Sequence, residues 1–124
     1  MNKAFGDSLL AYWRGNLEAK HIIERDDGYK QEMLVEYLFK NHNEWPLEKV
    51  RSLEHIPSGS TILDVGCGVG RIAIYLQKKG HKVVGLDSCP TAFQIAKARG
   101  LQYTFLGNIF ELKNSPIFDS FDTI

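Results

Sequence analysis

The sequence has little of what would build a disulfide-stabilised, metal-binding or membrane-bound protein. Only Cys67 and Cys89 are present among 124 residues, too few for a disulfide-built fold and without a second pair for a zinc site. No uncharged run approaches the roughly 18 apolar residues of a membrane span, and the start lacks the basic-then-apolar order of a signal peptide. We therefore expect a cytoplasmic protein with unpaired thiols and no membrane partner.

The chain also lacks an excess of either charge. It has 15 Lys+Arg against 15 Asp+Glu, whereas a surface that binds nucleic acid is normally basic. The charge balance therefore argues against a nucleic-acid partner, and the four histidines show no spacing typical of metal ligands. A hydrophobic share of 44% with 24% charged residues indicates one ordinary globular domain and excludes disorder.

Residues 1–57 are predicted to form a helical region. Asp7 or Ser8 is expected to cap a first helix that runs from Leu9 toward Ile23, with a break at 26–28. The third helix is short and begins after Trp45-Pro46. The second helix, between these two, is indicated by apolar residues at helical spacing: Met33, Leu34, Tyr37 and Leu38.

Residues 58–124 change to an alternation of strands and helices. Strands are predicted at 61–65, 82–87 and 102–106, helices at 71–79 and from Pro90 to Gly100, and the opening of a fourth strand at 121–124. This order predicts a parallel sheet with right-handed crossovers and helices on both faces. A sheet of this kind usually has five or more strands. The domain is therefore interpreted as truncated after its fourth strand, and we expect self-association through the incomplete sheet.

A glycine-rich segment lies between the first of these strands and the helix that follows it. Glycines at 66, 68 and 70 flank Cys67 and let the backbone turn tightly and a ligand approach it closely, next to the positive end of a helix dipole. A dinucleotide fingerprint would have its third glycine at 71, which is Arg71. Asp64, before the first glycine, would repel a phosphate, so a positively charged ligand is favoured.

Polar residues also follow the next two strands. Asp87 lies where a carboxylate can accept both hydroxyls of a ribose, although a carboxylate there can also cap the helix containing Pro90. Asn108 with the backbone of Ile109 can read the edge of an adenine, or Asn108 can be an ordinary turn residue. Asp122, at the start of the fourth strand, is interpreted as structural.

Taken in order, Asp64-x-Gly66-x-Gly68-x-Gly70, Asp87, Gly107-Asn108 and 121–124 resemble the motifs of class I methyltransferases that depend on S-adenosylmethionine. The resemblance covers roughly residues 60–124, although that family more often has Asp at the position of Asn108. It implies a Rossmann-like sheet of order 3-2-1-4 and S-adenosylmethionine as cofactor. By the same resemblance, the segment from Asp64 to Gly70 faces the methionine part, Asp87 with Ser88 faces the ribose, and Asn108 with Ile109 faces the adenine.

In that family, helices before the first strand commonly cover the cofactor and help to form the acceptor pocket. The resemblance therefore implies that residues 1–57 cover the cofactor and acceptor side of the domain. Tyr12 or Trp13 is therefore predicted to close over the sulfonium and Arg14 to meet its carboxylate. No general base and no catalytic residue can be assigned, since a sulfonium is an activated methyl donor that mainly needs orientation. A small-molecule acceptor is favoured. The alternatives are a cofactor-binding or oligomerisation module without chemistry and, less favoured by the glycine spacing, a nicotinamide-dependent oxidoreductase.

Overall fold

The computed structural model describes residues 3–112 and 116–124. Its elements form two groups along the chain, the first with a helix and a hairpin and the second with alternating strands and helices. The first group is α1 Lys3–Trp13, β1 Lys20–Glu24, β2 Lys30–Leu34, 3-10 helices at Val35–Phe39 and His42–Glu44, and α2 Leu47–Glu54. The second is β3 Thr61–Val65, α3 Arg71–Lys78, β4 Lys82–Asp87, α4 Pro90–Ala98, β5 Tyr103–Leu106, α5 Ile109–Leu112 and a 3-10 helix at Pro116–Ser120.

The second group forms a parallel sheet. Its strand order is β3-β4-β5, and Thr123 forms a parallel bridge to Ile62 on the free side of β3. The Leu63 N–H donates to the Thr123 carbonyl at 3.0 Å. The segment 121–124 therefore lies beside β3 on the side opposite β4, which confirms the predicted order 3-2-1-4.

Both faces of this sheet are covered, as expected for parallel strands joined by helices. The neighbouring residues Ile62 and Leu63 of β3 are each 3% exposed, although successive side chains of a strand point to opposite faces. One cluster of buried residues contains Ile62 with apolar residues of α3 and β4. A second joins α1 to α4 through Leu9 and Ile95.

Helix α1 packs closely against the start of α4. A Cβ added at Gly6 would lie 3.1 Å from Thr91 Oγ1 and 3.4 Å from Cys89 Sγ. The absence of a side chain at Gly6 thus allows the two helices to approach, and this contact brings the amino-terminal helix to the carboxyl edge of the sheet.

The predicted first helix is too long. Asp7 and Ser8 lie inside α1 rather than at its cap, and the helix ends at Trp13, two residues before Gly15, whose φ is 111°. Ile22 and Ile23, expected at the end of that helix, belong to β1. The predicted break at 26–28 is confirmed and is the turn of a hairpin, in which the Tyr29 N–H donates to Asp27 Oδ1 at 3.0 Å.

The predicted second helix is wrong. Met33 and Leu34 lie in β2, which pairs antiparallel with β1 in the register Lys20 to Leu34. Tyr37 and Leu38 lie in the following 3-10 helix. Short apolar runs fit a strand and a helix alike, and here the hairpin turn determines the outcome. The third predicted helix is confirmed as α2. In the described ranges, no helix is long and apolar enough to cross a membrane.

Candidate functional site

The loop between β3 and α3 depends on its alternating glycines. Gly66, Gly68 and Gly70 have φ values of 70°, 56° and 84°, in the left-handed region that costs other L-residues about 1 kcal/mol or more. No heavy atom lies within 4 Å of the Cβ positions of Gly66 and Gly68. The loop thus presents bare backbone beside open space that side chains would fill.

The loop is held against the end of β4 by backbone hydrogen bonds. The N–H groups of Gly66 and Cys67 both donate to the Leu86 carbonyl, at 2.7 and 3.0 Å. The Gly68 N–H donates to Asp87 Oδ2 at 2.8 Å. The carboxyl ends of two neighbouring strands therefore act as one unit.

Asp87 combines two contacts with its two oxygens. Oδ1 accepts the Cys89 N–H at 2.8 Å, at the start of α4, while Oδ2 holds Gly68 as described. The capping role considered from the sequence is thus present, together with a contact to the glycine loop. Each carboxylate oxygen keeps a further lone pair for another donor.

Asp64, near the end of β3, is a half-buried carboxylate without a hydrogen-bond donor among the residues that the structure describes. The pKa of its carboxyl group is raised from 3.8 to about 6, mainly by burial and also by the charge of Asp87, while Lys49 acts in the opposite direction. Burial of a carboxylate without a partner is costly. The site therefore favours a ligand that brings a positive charge or a donor to Asp64.

A cavity of about 180 Å³ lies over the loop and both carboxylates. Its walls come from four parts of the chain: α1, the first 3-10 helix, the segment from β3 into α3, and the end of β4. The residues by which α1 and the 3-10 helix reach the cavity, Phe5 and Leu38, were not among the predicted contacts. The lining residues are Phe5, Leu38, Asp64, Gly66, Cys67, Gly68, Val69, Arg71, Ile72 and Asp87.

The lining does not include Tyr12 or Arg14. The Tyr12 ring packs against Phe39 with ring centres 4.6 Å apart, and Trp13 stacks on the same ring at 6.2 Å. In this structure Phe5 is the aromatic residue that α1 places at the cavity. The roles predicted for Tyr12, Trp13 and Arg14 stay predictions.

Two further residues, which do not line the cavity, contact the glycine loop. The Arg99 guanidinium donates to the Val69 carbonyl at 2.8 Å, and burial lowers the pKa of Arg99. A Cβ added at Gly85 in β4 would lie 2.8 Å from Cys67 Sγ and 2.7 Å from Leu101 Cδ2. Glycine inside a strand is a known signal for close approach of another segment, and here the approaching residue belongs to the glycine loop.

The residues predicted near an adenine lie at the end of β5. The Gly107 N–H donates to the Asp87 carbonyl at 3.0 Å, which ties this strand end to that of β4. The Asn108 side-chain oxygen accepts the Phe110 N–H at 2.9 Å and so caps α5, while Ile109 begins that helix. Ser88 directly follows Asp87 at the same edge.

Asp122 lies away from this edge, at the start of β3, and has the structural role expected of it. Its Oδ2 accepts the Thr61 N–H at 2.8 Å.

The cysteines are unpaired. Cys67 and Cys89 are both free and buried, and burial raises the pKa of Cys67 to about 12, so its thiol is not an activated nucleophile. Within residues 3–112 and 116–124, no cluster of three or more His, Cys, Asp or Glu side chains could hold a metal ion.

Known proteins share this arrangement. A family model for a methyltransferase domain matches residues 62–124. The chain is 38% identical over 61 residues to a 2-heptyl-1-hydroxyquinolin-4(1H)-one methyltransferase of Mycobacteroides abscessus, which covers 49% of the chain and 27% of that protein. It is 32% identical over 93 residues to a tRNA (uracil(54)-C(5))-methyltransferase of Pyrococcus furiosus, covering 75% of the chain and 21% of that protein.

A solved structure extends the similarity to the amino-terminal elements. The structure of a SAM-dependent methyltransferase from Bacteroides fragilis in complex with S-adenosyl-L-homocysteine superposes with a TM-score of 0.76 at 26% identity. The match covers 87% of the chain and 44% of the Bacteroides chain, so the chain spans less than half the length of each of these relatives. Because the family model matches half of the chain and the fold agrees, the chain belongs to the class I methyltransferases whose cofactor is S-adenosylmethionine.

Proposed function

We propose that this chain binds S-adenosylmethionine over the β3–α3 loop and supplies the cofactor site of a methyltransferase. The observation that carries the proposal is the bare backbone at Gly66 and Gly68 beside the half-buried carboxylate of Asp64. The open space accommodates a ligand at van der Waals distance, and the carboxylate attracts its positive charge. When bound, the cofactor supplies an activated methyl group on a sulfonium.

In this proposal the ends of β3, β4 and β5 each bind a different part of the ligand. Asp64 and the loop from Gly66 to Gly70 hold the methionine part, as the resemblance implies. Asp87, with Ser88, accepts the ribose hydroxyls through the lone pairs that Gly68 and Cys89 leave available. Asn108 and Ile109 contact the adenine, for which the Asn108 side-chain NH2 is a suitable donor.

The amino-terminal region covers this site from the other side. We propose the division into 1–57 as covering region and 58–124 as the cofactor-binding part. Phe5 and Leu38 already line the cavity, and Phe5 is placed to face a sulfonium with its ring. Tyr12 and Arg14 belong to the same covering region, and a role for them requires α1 to shift on binding.

No residue of the chain has to form a covalent bond in this reaction. The chain binds and orients, which places a nucleophilic acceptor in line with the methyl group, while the apolar cover excludes water. The relatives act on a hydroxyquinolone and on a tRNA uracil, as their names state. For this chain we propose a small-molecule acceptor, because the formal net charge is zero and nucleic acid favours basic proteins.

A second candidate is a module that binds the cofactor and associates with another copy without turnover. It is favoured by exposed apolar side chains on β5 and α5, where Phe105 is 45% and Phe110 77% exposed. Contiguous exposed apolar surface marks protein contacts. Sedimentation above micromolar concentration tests self-association, and a purely monomeric species would contradict it.

Calorimetric titration with S-adenosylhomocysteine and with NADH tests the cofactor proposal. We expect saturable binding of S-adenosylhomocysteine and no displacement of it by NADH, since the carboxylate of Asp64 opposes a pyrophosphate in the cofactor cavity. Tight binding of NADH alone would overturn the proposal and support the oxidoreductase alternative. Methyl transfer is then assayed with labelled cofactor and candidate hydroxylated aromatic acceptors. Binding without transfer to any of them would favour the non-catalytic module.

A further inference from the structure

A second and larger cavity, of about 580 Å³, lies on the outer side of α3. It is bounded by the 3-10 helix at His42–Glu44 and its flanks, by α3 and by the end of α4. Its lining contains six basic side chains and no Asp or Glu. The basic residues are Lys40, His42, Arg71, Lys78, Lys79 and Arg99.

Among the described residues, no acidic side chain forms an ion pair with the basic residues of this cavity. The ion pairs within 4.0 Å that the described ranges contain all lie in the first 32 residues, as in Lys20 with Glu32 and Arg25 with Asp27. None includes a residue of the cavity. The chain as a whole has a formal net charge of zero. The positive charge along α3 is therefore a local concentration of basic residues and does not reflect a basic protein.

Two arginines of the cavity contact aromatic rings. The Arg71 guanidinium lies 5.2 Å from the centre of the Tyr37 ring, and that of Arg99 lies 5.0 Å from the Phe39 ring. Such contacts hold a cation in position without neutralising it. The guanidinium groups are thus oriented in advance and keep donors for an anion.

One wall of the cavity is also aromatic. His42 and Tyr75 face one another with ring centres 4.9 Å apart at 36°, and Trp45 meets Tyr75 edge-on at 5.3 Å. Basic side chains combined with such rings are the arrangement that binds nucleotides, through the phosphate and the face of the base. The volume lies in the range of about 300–1,000 Å³ for small-molecule sites.

We propose that this cavity binds a phosphate-bearing ligand of nucleotide size, with its phosphates on Arg71, Lys78 and Lys79 and its ring against His42 and Tyr75. The site is separate from the cofactor cavity and shares only Arg71 with it. It does not rest on the methyltransferase proposal. The same chemistry is offered by a free nucleotide and by single-stranded RNA.

The test is titration of the chain with ATP in the presence of saturating S-adenosylhomocysteine, which prevents the adenosine part from entering the cofactor cavity. We expect ATP to bind, adenosine to bind at least tenfold more weakly, and inorganic tripolyphosphate to compete. Raising the salt from 50 to 500 mM should weaken ATP binding several-fold. Equal affinities for ATP and adenosine, or no binding of ATP, would overturn the proposal.

Charge reversal locates the site. The double variant Lys78→Glu with Lys79→Glu changes two exposed side chains of the lining, and we expect it to weaken ATP binding at least tenfold with unchanged S-adenosylhomocysteine affinity. The matched control is Lys97→Glu, an exposed lysine on α4 outside the lining, which should change ATP binding less than twofold. Equal effects of both variants would contradict a site at this cavity.

A short single-stranded RNA distinguishes the two sources of the ligand. If the oligonucleotide binds no more tightly than ATP, the ligand is a free nucleotide. If it binds at least a hundredfold more tightly and the double variant abolishes this gain, the cavity is part of an RNA-binding surface. Binding of RNA that the double variant leaves unchanged would contradict the proposed site. If the double variant does not fold, the comparison of ATP with adenosine and the salt dependence still decide the question.

Discussion

Asp87 Oδ2 accepts the N–H of Gly68 at 2.8 Å, so a carboxylate at the end of one strand fixes the glycine loop that follows its neighbour. The same side chain also holds the first turn of α4 through Cys89. A single residue thus sets the relative position of three elements at the proposed cofactor site.

Replacing Asp87 with Asn should weaken both the fold and the site. The amide has one oxygen for two N–H donors, so one donor at Gly68 or Cys89 loses its acceptor at a cost of about 1–3 kcal/mol. We expect a lower melting temperature and at least tenfold weaker binding of S-adenosylhomocysteine, measured by thermal unfolding and calorimetry.

Asp122→Ala, which removes the acceptor oxygen, is the control for this variant. Asp122 also accepts a backbone N–H, that of Thr61, but it lies at the opposite end of β3. Its replacement should lower the melting temperature and leave cofactor affinity unchanged. Equal losses of affinity in the two variants would show that instability, and not the site, explains the effect of Asp87→Asn.

Asp64→Asn should stabilise the chain and impair binding. Because burial raises the pKa of Asp64 to about 6, the folded state retains its proton where the unfolded chain has lost it, so stability falls as the pH rises from about 4 to about 6. The variant removes this penalty, worth at most about 3 kcal/mol at 1.4 kcal/mol per pH unit. Thermal unfolding at pH 8 and at pH 4 should show a gain only at pH 8.

The affinity of the same variant should change in the opposite direction. A cationic ligand favours the ionised carboxylate, so binding of S-adenosylmethionine to the unmodified chain should strengthen as the pH rises through about 6. Asp64→Asn should bind more weakly and lose this pH dependence. If Asp64→Asn binds S-adenosylmethionine with the same pH dependence as the unmodified chain, the pH dependence arises from a group other than Asp64.

Gly68→Ala should impair binding because a methyl group would occupy the open space of the loop. Gly59→Ala is a close control, since Gly59 also has a positive φ, 70° against 56°, and also has no heavy atom near its Cβ position. Both changes should cost similar stability, about 1 kcal/mol. Only Gly68→Ala should weaken binding of S-adenosylhomocysteine, and equal affinities of the two variants would contradict a ligand at the loop.

Gly85→Ala should destabilise the loop from behind. Its Cβ would come within 2.8 Å of Cys67 Sγ, and overpacking of this kind typically costs about 1–3 kcal/mol. We expect a lower melting temperature and faster reaction of Cys67 with a thiol reagent at pH 8, because displacement of the loop exposes the thiol. An unchanged rate of modification would show that the loop does not depend on this contact.

The alternating part of the fold was predictable from the sequence, whereas the amino-terminal part was not. Thr61–Val65 and Lys82–Asp87 are short apolar strands bounded by glycine and polar residues, so local signals determine them. Ile22, Ile23, Met33 and Leu34 lie at spacings that suit either a helix or a strand. The Asp27-Gly28 pair, typical of a hairpin turn, was the signal that distinguishes the two.

The site followed the same division. Asp64, Asp87 and the glycines lie in one strand-loop-helix pattern and could be identified together. Phe5 reaches the cavity through the packing of α1 against α4, to which the sequence gives only the hint of Gly6 within a helix. Leu38 reaches it from the first 3-10 helix, where the sequence predicts part of a longer helix. The supporting contact of Arg99 joins residues 30 positions apart, and no local pattern indicates such a pair.

The hydrogen bond from Arg99 to the Val69 carbonyl has a consequence for the affinity of the proposed cofactor site. With Gly68 bound to Asp87 on one side and Val69 to Arg99 on the other, the glycine loop is immobilised although its residues are intrinsically the most flexible. The entropy of ordering it is lost when the chain folds and not when a ligand arrives. A small molecule therefore meets a rigid receptor, and little of its interaction energy is spent on arranging the backbone.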